Sequence, residues 1–275
     1  MNKLNYYEST NISKKSLLMM IIVTCAMFVV RMVQCLGVVQ GGAITFTNIT
    51  MYALVFILAV IGFFLAKTVN KNDERYIDIS FFARGIFYSC AALLFFIGGF
   101  KMIAENFALQ TINILVLLDS LFILLAVIAL IVIACKCFIQ ESEYSFVPMV
   151  ILICWGVVSL IRNYVLLPVT TANPEKVILL FIAVLSLCFI FFTAKTGLGY
   201  KTTRTRFFQI LSFVLLLGAA FGYLLPNIIT DLVVMPSSVK AQELAYLAVS
   251  IWGIGTSAKY LVPAMITRKN VKQEI

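Results

Sequence analysis

The chain has 275 residues, of which 62% are hydrophobic and only 12% are charged, and its formal net charge is +9. Soluble globular domains are roughly 45–50% apolar and about 25% charged, so the polar side chains here are too few to cover a water-exposed surface. Intrinsic disorder, which needs low hydrophobicity, is excluded as well. The composition therefore predicts an all-α, polytopic integral membrane protein.

Eight stretches approach the roughly 20 apolar residues that a helix needs to cross the hydrocarbon core of a bilayer. In chain order they are approximately Ser16–Leu36, Met51–Ala66, Phe81–Ile103, Ile112–Cys135, Phe146–Leu167, Val177–Ala194, Phe207–Leu225 and Leu244–Ile266. The runs are apolar all round, whereas the strands of a membrane barrel alternate in hydrophobicity. The pattern thus predicts a bundle of eight transmembrane helices. The segment Pro226–Glu243 is expected to be an outer loop, with Pro174 and Pro226 in turns.

The distribution of lysine and arginine predicts the orientation of the bundle. With the N-terminus inside, the cytoplasmic segments hold fourteen basic residues and the outer segments hold Lys101, Lys176 and Lys240. Because cytoplasmic loops carry the excess of basic residues, both termini are predicted to be cytoplasmic in a multi-pass protein of the cell membrane. The positive charge then orients the chain and contacts anionic lipid of the bilayer. We expect no binding to nucleic acid, since no soluble module carries a basic patch.

A short sequence similarity suggests an internal repeat. The segment Phe63–Thr68 closes the second predicted span and matches Phe191–Thr196, which closes the sixth, at five of six positions. We therefore predict one membrane domain, residues 1–275, built from half-repeats 16–137 and 146–267. An even number of spans in each half makes the repeats parallel, and the interface between such halves is where we expect a site.

Charges inside the predicted spans define the candidate site. An ionised side chain at the bilayer centre costs at least about 2.5–3.5 kcal/mol, so it needs a partner or water. Arg31, Asp119 and Arg162 all fall in the predicted outer half of the bundle. At the repeat offset Arg31 aligns with Ser159 and Arg162 aligns with Gln34, which gives each half one arginine and one neutral polar group on one helix face.

These five residues form the predicted substrate-binding set, because guanidinium groups bind carboxylate or phosphate in a bidentate manner. In the alternative interpretation, Asp119 pairs with one arginine to lock the bundle, while the other arginine reaches the outer interface. Glu105 or Glu243, from the outer loops, are further candidates to balance the arginine charge.

Two functional hypotheses follow, and neither is enzymatic. The chain has no histidine, and no motif for a catalytic triad, metal or cofactor is present. One hypothesis is a small secondary carrier for an anionic or zwitterionic solute, which predicts discontinuous or polar-lined helices and a cavity between the halves. The other is a sensor or accessory subunit that acts through its basic cytoplasmic loops on a membrane protein partner. It predicts a dry core and an Arg–Asp bridge without a cavity.

The predicted orientation is tested by reporter fusions. Alkaline phosphatase, which is active only outside the cytoplasm, is expected to be active when fused after Ala172 and inactive when fused after Lys201. A green fluorescent protein fused after Ile275 is expected to fluoresce. The reverse pattern of enzyme activity would contradict the charge-based orientation.

Overall fold

The computed structural model describes residues 3–37, 42–71, 80–108, 113–140, 145–166, 174–200, 202–234 and 239–265. Within this part of the chain the regular structure is entirely helical, as predicted. Eight helices follow one another: α1 Lys3–Cys35, α2 Gly42–Lys71, α3 Phe81–Ala108, α4 Ile114–Phe138, α5 Phe146–Leu166, α6 Pro174–Gly197, α7 Thr203–Val234 and α8 Ala241–Met265.

Among the described residues, seven helices are long and apolar enough to cross a membrane, and these are α1 to α7. The chain is thus a multi-pass membrane protein. The large apolar side chains that remain exposed on these helices, such as Phe56, Leu93 and Ile128, are suited to contact with lipid. The cell membrane as location and the orientation of the termini stay predictions.

Helix α8 occupies the position of the eighth predicted span but differs in character from the other helices. It packs against α1, α2, α3, α6 and α7, and from Ala241 to Ser250 every residue except Gln242 is buried. A helix that is enclosed in this way faces protein rather than lipid. Its first turn, which contains Gln242 and Glu243, therefore carries polar groups into the interior of the bundle.

The prediction that Pro226–Glu243 forms an outer loop is wrong for its first half, because helix α7 continues to Val234. Proline lacks an N–H and its ring collides with the carbonyl four residues earlier, which normally breaks an α-helix. Here the segment Ala220–Leu224 is a π-helix, and the Leu225 N–H bonds to the Ala220 carbonyl five residues back. This wider turn accommodates Pro226 inside the helix. Pro174 also lies in a helix, at the first residue of α6, where proline is tolerated.

The packing of the helices gives the predicted four-plus-four repeat no support. Helices α1 and α2 pack together, as do the corresponding α5 and α6. However, α6 packs closely on α7, whereas the described residues of α2 and α3 form no comparable interface. Helix α3 packs on α4 and α8, while α7 lies mainly against α1, α2 and α6. The two halves thus have different neighbours, and the duplication stays a prediction.

Close contact between α3 and the first turn of α8 depends on Gly98. A Cβ atom added there would lie 2.8 Å from the backbone oxygen of Ala241, a group that cannot rotate away. The absence of a side chain at Gly98 therefore lets the start of α8 approach α3 and places Gln242 and Glu243 between the surrounding helices.

We expect Gly98→Ala to lower the stability of the bundle by about 1–3 kcal/mol, as overpacking of a well-packed interior does. The measurement is the thermal unfolding midpoint of the detergent-solubilised protein. Gly156→Ala is the matched control, because the new Cβ would meet the side-chain end of Leu187 at 3.0 Å, which can shift. An equal midpoint for the two variants would contradict the assigned role of Gly98.

Candidate functional site

Arg162 on α5 forms the centre of a buried polar cluster, which we call the Arg162 network. Its Nη1 donates to Asp119 Oδ2 on α4 at 2.8 Å and contacts Met102 Sδ on α3 at 2.9 Å. Its Nη2 donates to Gln242 Oε1 on α8 at 2.8 Å. The Asp119 side chain has no exposed surface and that of Arg162 is 13% exposed. One guanidinium group thus links four helices.

Tyr246 on α8 extends the Arg162 network towards α5. Its hydroxyl lies 2.9 Å from Ser159 Oγ and accepts from Gln242 Nε2 at 3.2 Å. Asn163 Nδ2 also donates to this hydroxyl, and Gln242 Nε2 donates to Asn163 Oδ1. These amide and hydroxyl groups hydrogen-bond to one another, so the network holds α5 and α8 together.

Arg31 on α1 forms a second cluster, the Arg31 network. Its Nε donates to Asn227 Oδ1 on α7 at 2.7 Å, and its Nη1 donates to Gln34 Oε1 at 3.0 Å. Gln34 Nε2 then donates to Asn48 Oδ1 on α2 at 3.1 Å. The guanidinium carbon lies 4.5 Å from the centre of the Tyr223 ring, close enough for a cation–π interaction. Arg31 is thus buried within the protein.

Glu243 completes the Arg31 network and corrects the sequence analysis, which placed it in an outer loop. It lies in the first turn of α8 and is 1% exposed. Its Oε1 accepts from Asn227 Nδ2 at 3.0 Å and lies 3.7 Å from the ammonium group of Lys240. Taken together, the two networks contain two arginines and two buried carboxylates, so the arginine charge is balanced within them.

The five predicted site residues divide between the two networks. Arg31 and Gln34, which were predicted to share a helix face, are hydrogen-bonded to each other, while Asp119 and Arg162 form an ion pair. Ser159 joins the second group through Tyr246. The networks meet at consecutive residues of α8, since Gln242 belongs to one and Glu243 to the other. The sequence analysis did not identify the partners Asn48, Tyr223, Asn227, Gln242 and Tyr246.

Glu243 Oε2 is a buried polar atom that has no hydrogen-bond partner among the described residues. Asp119 Oδ1 and Trp155 Nε1 also lack a hydrogen bond of good geometry, but the Trp155 indole interacts with the Asp119 carboxylate. Most buried polar atoms in proteins have a partner, so Glu243 Oε2 calls for a bound water, an ion, a ligand or a proton. It is therefore the chemically open position of the networks.

A surface cavity of about 460 Å³ lies at the other end of the bundle, between α2 and α7. It is lined by Asn70, Thr203, Arg204, Phe207 and Phe208. Thr203 begins α7, whereas Tyr223 and Asn227 contact Arg31 some twenty residues later, a separation of roughly 30 Å along a helix. The cavity therefore is not part of either network.

Within the described part of the chain, no group of three or more His, Cys, Asp or Glu side chains is arranged to hold a metal ion. Comparisons with protein family models, with curated proteins and with solved structures find no match. The class of protein that the fold defines is a helical multi-pass membrane protein, and any finer assignment depends on the two networks.

The ion pair between Asp119 and Arg162 is tested by a double-mutant cycle. Removing one partner of a buried pair leaves an uncompensated charge and typically costs about 3–5 kcal/mol, so Asp119→Leu and Arg162→Met are each expected to lower the unfolding midpoint strongly. The double variant is expected to recover most of the loss, because apolar groups of similar volume replace both charges.

The pair Lys101–Glu105 provides the control, since its side chains are 20% and 54% exposed and 3.7 Å apart. Pairs of this kind on a helix contribute only about 0.3–0.5 kcal/mol, so Glu105→Gln is expected to change little. Additive losses in the Asp119 and Arg162 cycle would contradict the direct interaction.

Proposed function

We propose that this protein is a small secondary carrier for an anionic or zwitterionic solute, bound at the Arg31 and Arg162 networks in the predicted outer half of the bundle. The observation that carries the proposal is the interruption of helix α7 beside Arg31. Many carriers bind solutes at discontinuous helices near the midplane, since irregular backbone at that depth is tolerated where it lines a cavity or is buried in protein.

The interruption and the network involve the same residues. Tyr223 lies in the π-helical segment and its ring packs on Arg31, whereas Asn227 follows Pro226 and accepts a hydrogen bond from Arg31. Short π segments inside α-helices occur frequently at functional sites, and a proline removes one backbone hydrogen bond that resists bending. Helix α7 thus has a hinge where it contacts the candidate binding arginine.

The two arginines have different roles in this proposal. Arg162 is held by an ionised partner, Asp119, and by Gln242 and Met102, so it fixes the positions of four helices. The described partners of Arg31 include the neutral amides of Gln34 and Asn227. A neutral amide is a weaker partner for guanidinium than a carboxylate. Arg31 is therefore the residue that exchanges a protein partner for the solute.

The charge balance of the networks favours a zwitterion within the proposed solute class. Two guanidinium groups and two carboxylates together carry no net charge, and Glu243 Oε2 lacks a partner in the described residues. An amino group of the solute would satisfy such an oxygen while its acidic group binds Arg31. Neither step then leaves an uncompensated charge in the interior, which would be costly.

A sensor or accessory subunit is the second candidate function. The enclosed Asp119–Arg162 pair favours it, because the distance of 2.8 Å and the buried carboxylate match a bundle that is locked rather than opened for a solute. In this alternative the basic segments of the predicted cytoplasmic side contact a membrane protein partner, and the networks serve stability alone.

The carrier proposal predicts that a small solute stabilises the purified protein and that Arg31→Gln removes this effect. A ligand at 100 times its dissociation constant stabilises a protein by about 2.7 kcal/mol, which appears as a rise in unfolding temperature. The probes are acetate, succinate, phosphate, glycine and glutamate, and the active compound is then measured for uptake into proteoliposomes.

Arg204→Gln is the matched control, since Arg204 is an exposed arginine at the far end of α7. It is expected to keep both solute stabilisation and uptake. Wild-type protein that responds to none of the probes would favour the sensor alternative. A solute effect that persists unchanged in Arg31→Gln would overturn the assigned site.

A further inference from the structure

The surface cavity between α2 and α7 lies where two membrane-spanning helices end. Its lining residues are Asn70 on α2 and Thr203, Arg204, Phe207 and Phe208 on α7. The membrane-spanning part of α2 ends at Asn70, and that of α7 begins at Thr203. At this depth the hydrocarbon core of a bilayer gives way to the layer of polar headgroups. The cavity therefore faces both layers of the lipid.

Two contacts between α2 and α7 hold the walls of the cavity. At the helix ends, Asn70 Nδ2 donates to the Thr203 carbonyl oxygen at 3.1 Å. Nearer the middle of the helices, the ring centres of Phe63 and Phe207 are 5.5 Å apart, and the rings meet edge to face. The two helices are thus joined at both levels of the cavity, so its shape is set by the protein itself.

The lining of the cavity changes from polar to apolar with depth. Arg204 lies in the first turn of α7, and the two phenylalanines follow three and four residues later, which places them roughly 5–6 Å deeper along the helix. Phe208 is 44% exposed, and its ring stacks on that of Phe192 on α6 with the centres 5.2 Å apart. The headgroup and the acyl chains of a phospholipid follow each other in the same order.

Two cationic side chains lie at the polar level of the cavity. Arg204 lines it, and Lys67 shares a face of α2 with Phe63 and Asn70, because these residues are four and three positions apart. Both cations are exposed, and neither has an ion pair or a hydrogen bond within the described part of the chain. The positive end of the α7 helix dipole lies at Thr203 and adds to their field. The polar level therefore favours an anionic group.

We propose that this cavity binds one anionic phospholipid. Its phosphate lies between Lys67 and Arg204, and an acyl chain lies along Phe207 and Phe208. Basic pockets between transmembrane helices on the cytoplasmic side bind anionic headgroups in this way, and the predicted orientation places the cavity in that leaflet. The site is separate from the Arg31 and Arg162 networks, so the inference goes beyond the proposed carrier function and does not depend on it.

The apolar level of the cavity distinguishes a lipid from a free anion. A water-soluble anion such as inorganic phosphate contacts the two cations but leaves the rings of Phe207 and Phe208 uncovered. A phospholipid covers them with its acyl chain while its phosphate stays in the headgroup layer. Phosphatidylcholine offers the same chain, but its own ammonium group compensates its phosphate. Both levels together therefore select an anionic phospholipid over either of these ligands.

The choice of ligand is tested by the unfolding temperature of the detergent-solubilised protein. Phosphatidylglycerol is expected to raise it, because a ligand that binds only the folded state stabilises that state. Phosphatidylcholine and inorganic phosphate at the same concentration are expected to have little effect. An equal rise with phosphatidylcholine would contradict the selection by charge, and an equal rise with inorganic phosphate would show a free-anion site instead.

The position of the site is tested by Lys67→Gln and Arg204→Gln. Each is expected to weaken phosphatidylglycerol binding about fivefold, since this is what one basic side chain contributes at an anionic membrane surface. Native mass spectrometry is expected to show one retained phosphatidylglycerol per wild-type chain and less in both variants. Lys15→Gln is the matched control, because it removes the same charge from an exposed position on α1 at the same predicted end. Equal losses in all three variants would indicate diffuse attraction and overturn the site.

The lipid site and the solute site are distinguished by exchanging their variants. Arg31→Gln is expected to keep the effect of phosphatidylglycerol. Arg204→Gln is expected to keep the response to solute in phosphatidylcholine, where no anionic lipid occupies the cavity of either protein. Loss of the phosphatidylglycerol effect in Arg31→Gln would overturn the assigned position of the lipid, whatever the outcome of the uptake measurements.

Discussion

The ion pair between Arg162 and Asp119 is the interaction on which the rest of the polar interior depends. In a bundle surrounded by hydrocarbon, a charged side chain is not solvated by bulk water and therefore needs a partner within the protein. Arg162 does so by contacting α3, α4 and α8 from α5. Since Gln242 is one of its partners, the pair also fixes the first turn of α8, and with it the position of Glu243 in the second network.

The difference between the two arginines gives the molecule a rigid part and an adaptable part. The ion pair and the hydrogen bonds around Tyr246 join α5 and α8 through groups that satisfy one another. Around Arg31 the chain of contacts runs through the amides of Gln34, Asn48 and Asn227, which can turn without separating opposite charges. Movement of a solute requires both properties, because a site must change while its framework keeps its shape.

Much of the helical framework and part of the site were predictable from the sequence. Apolar runs indicate helices by length alone, and the spacing of Arg31 and Gln34 placed both on one helix face. The long-range partners were not predictable, since Asn227 is 196 residues from Arg31 and nothing local marks it. Glu243 was assigned to a loop because the apolar run begins only at Leu244, whereas helix α8 begins at Ala241. Tyr246, in an apolar run, had the pattern of an ordinary core aromatic residue.

The π-helical segment of α7 also determines the direction in which the later residues of that helix face. Successive residues of an α-helix differ by about 100° around the axis, and the single wide turn at Ala220–Leu224 contributes one extra residue without extra rotation of the downstream helix. Asn227 faces Arg31 only because of that offset. If the wide turn lay beyond Asn227 in the sequence, the Asn227 side chain would be rotated by about 100° around the helix axis. Its amide would then face neither Arg31 nor Glu243, while the ends of the helix stayed in place. The position of the wide turn along α7 therefore decides whether Asn227 connects the arginine to the glutamate.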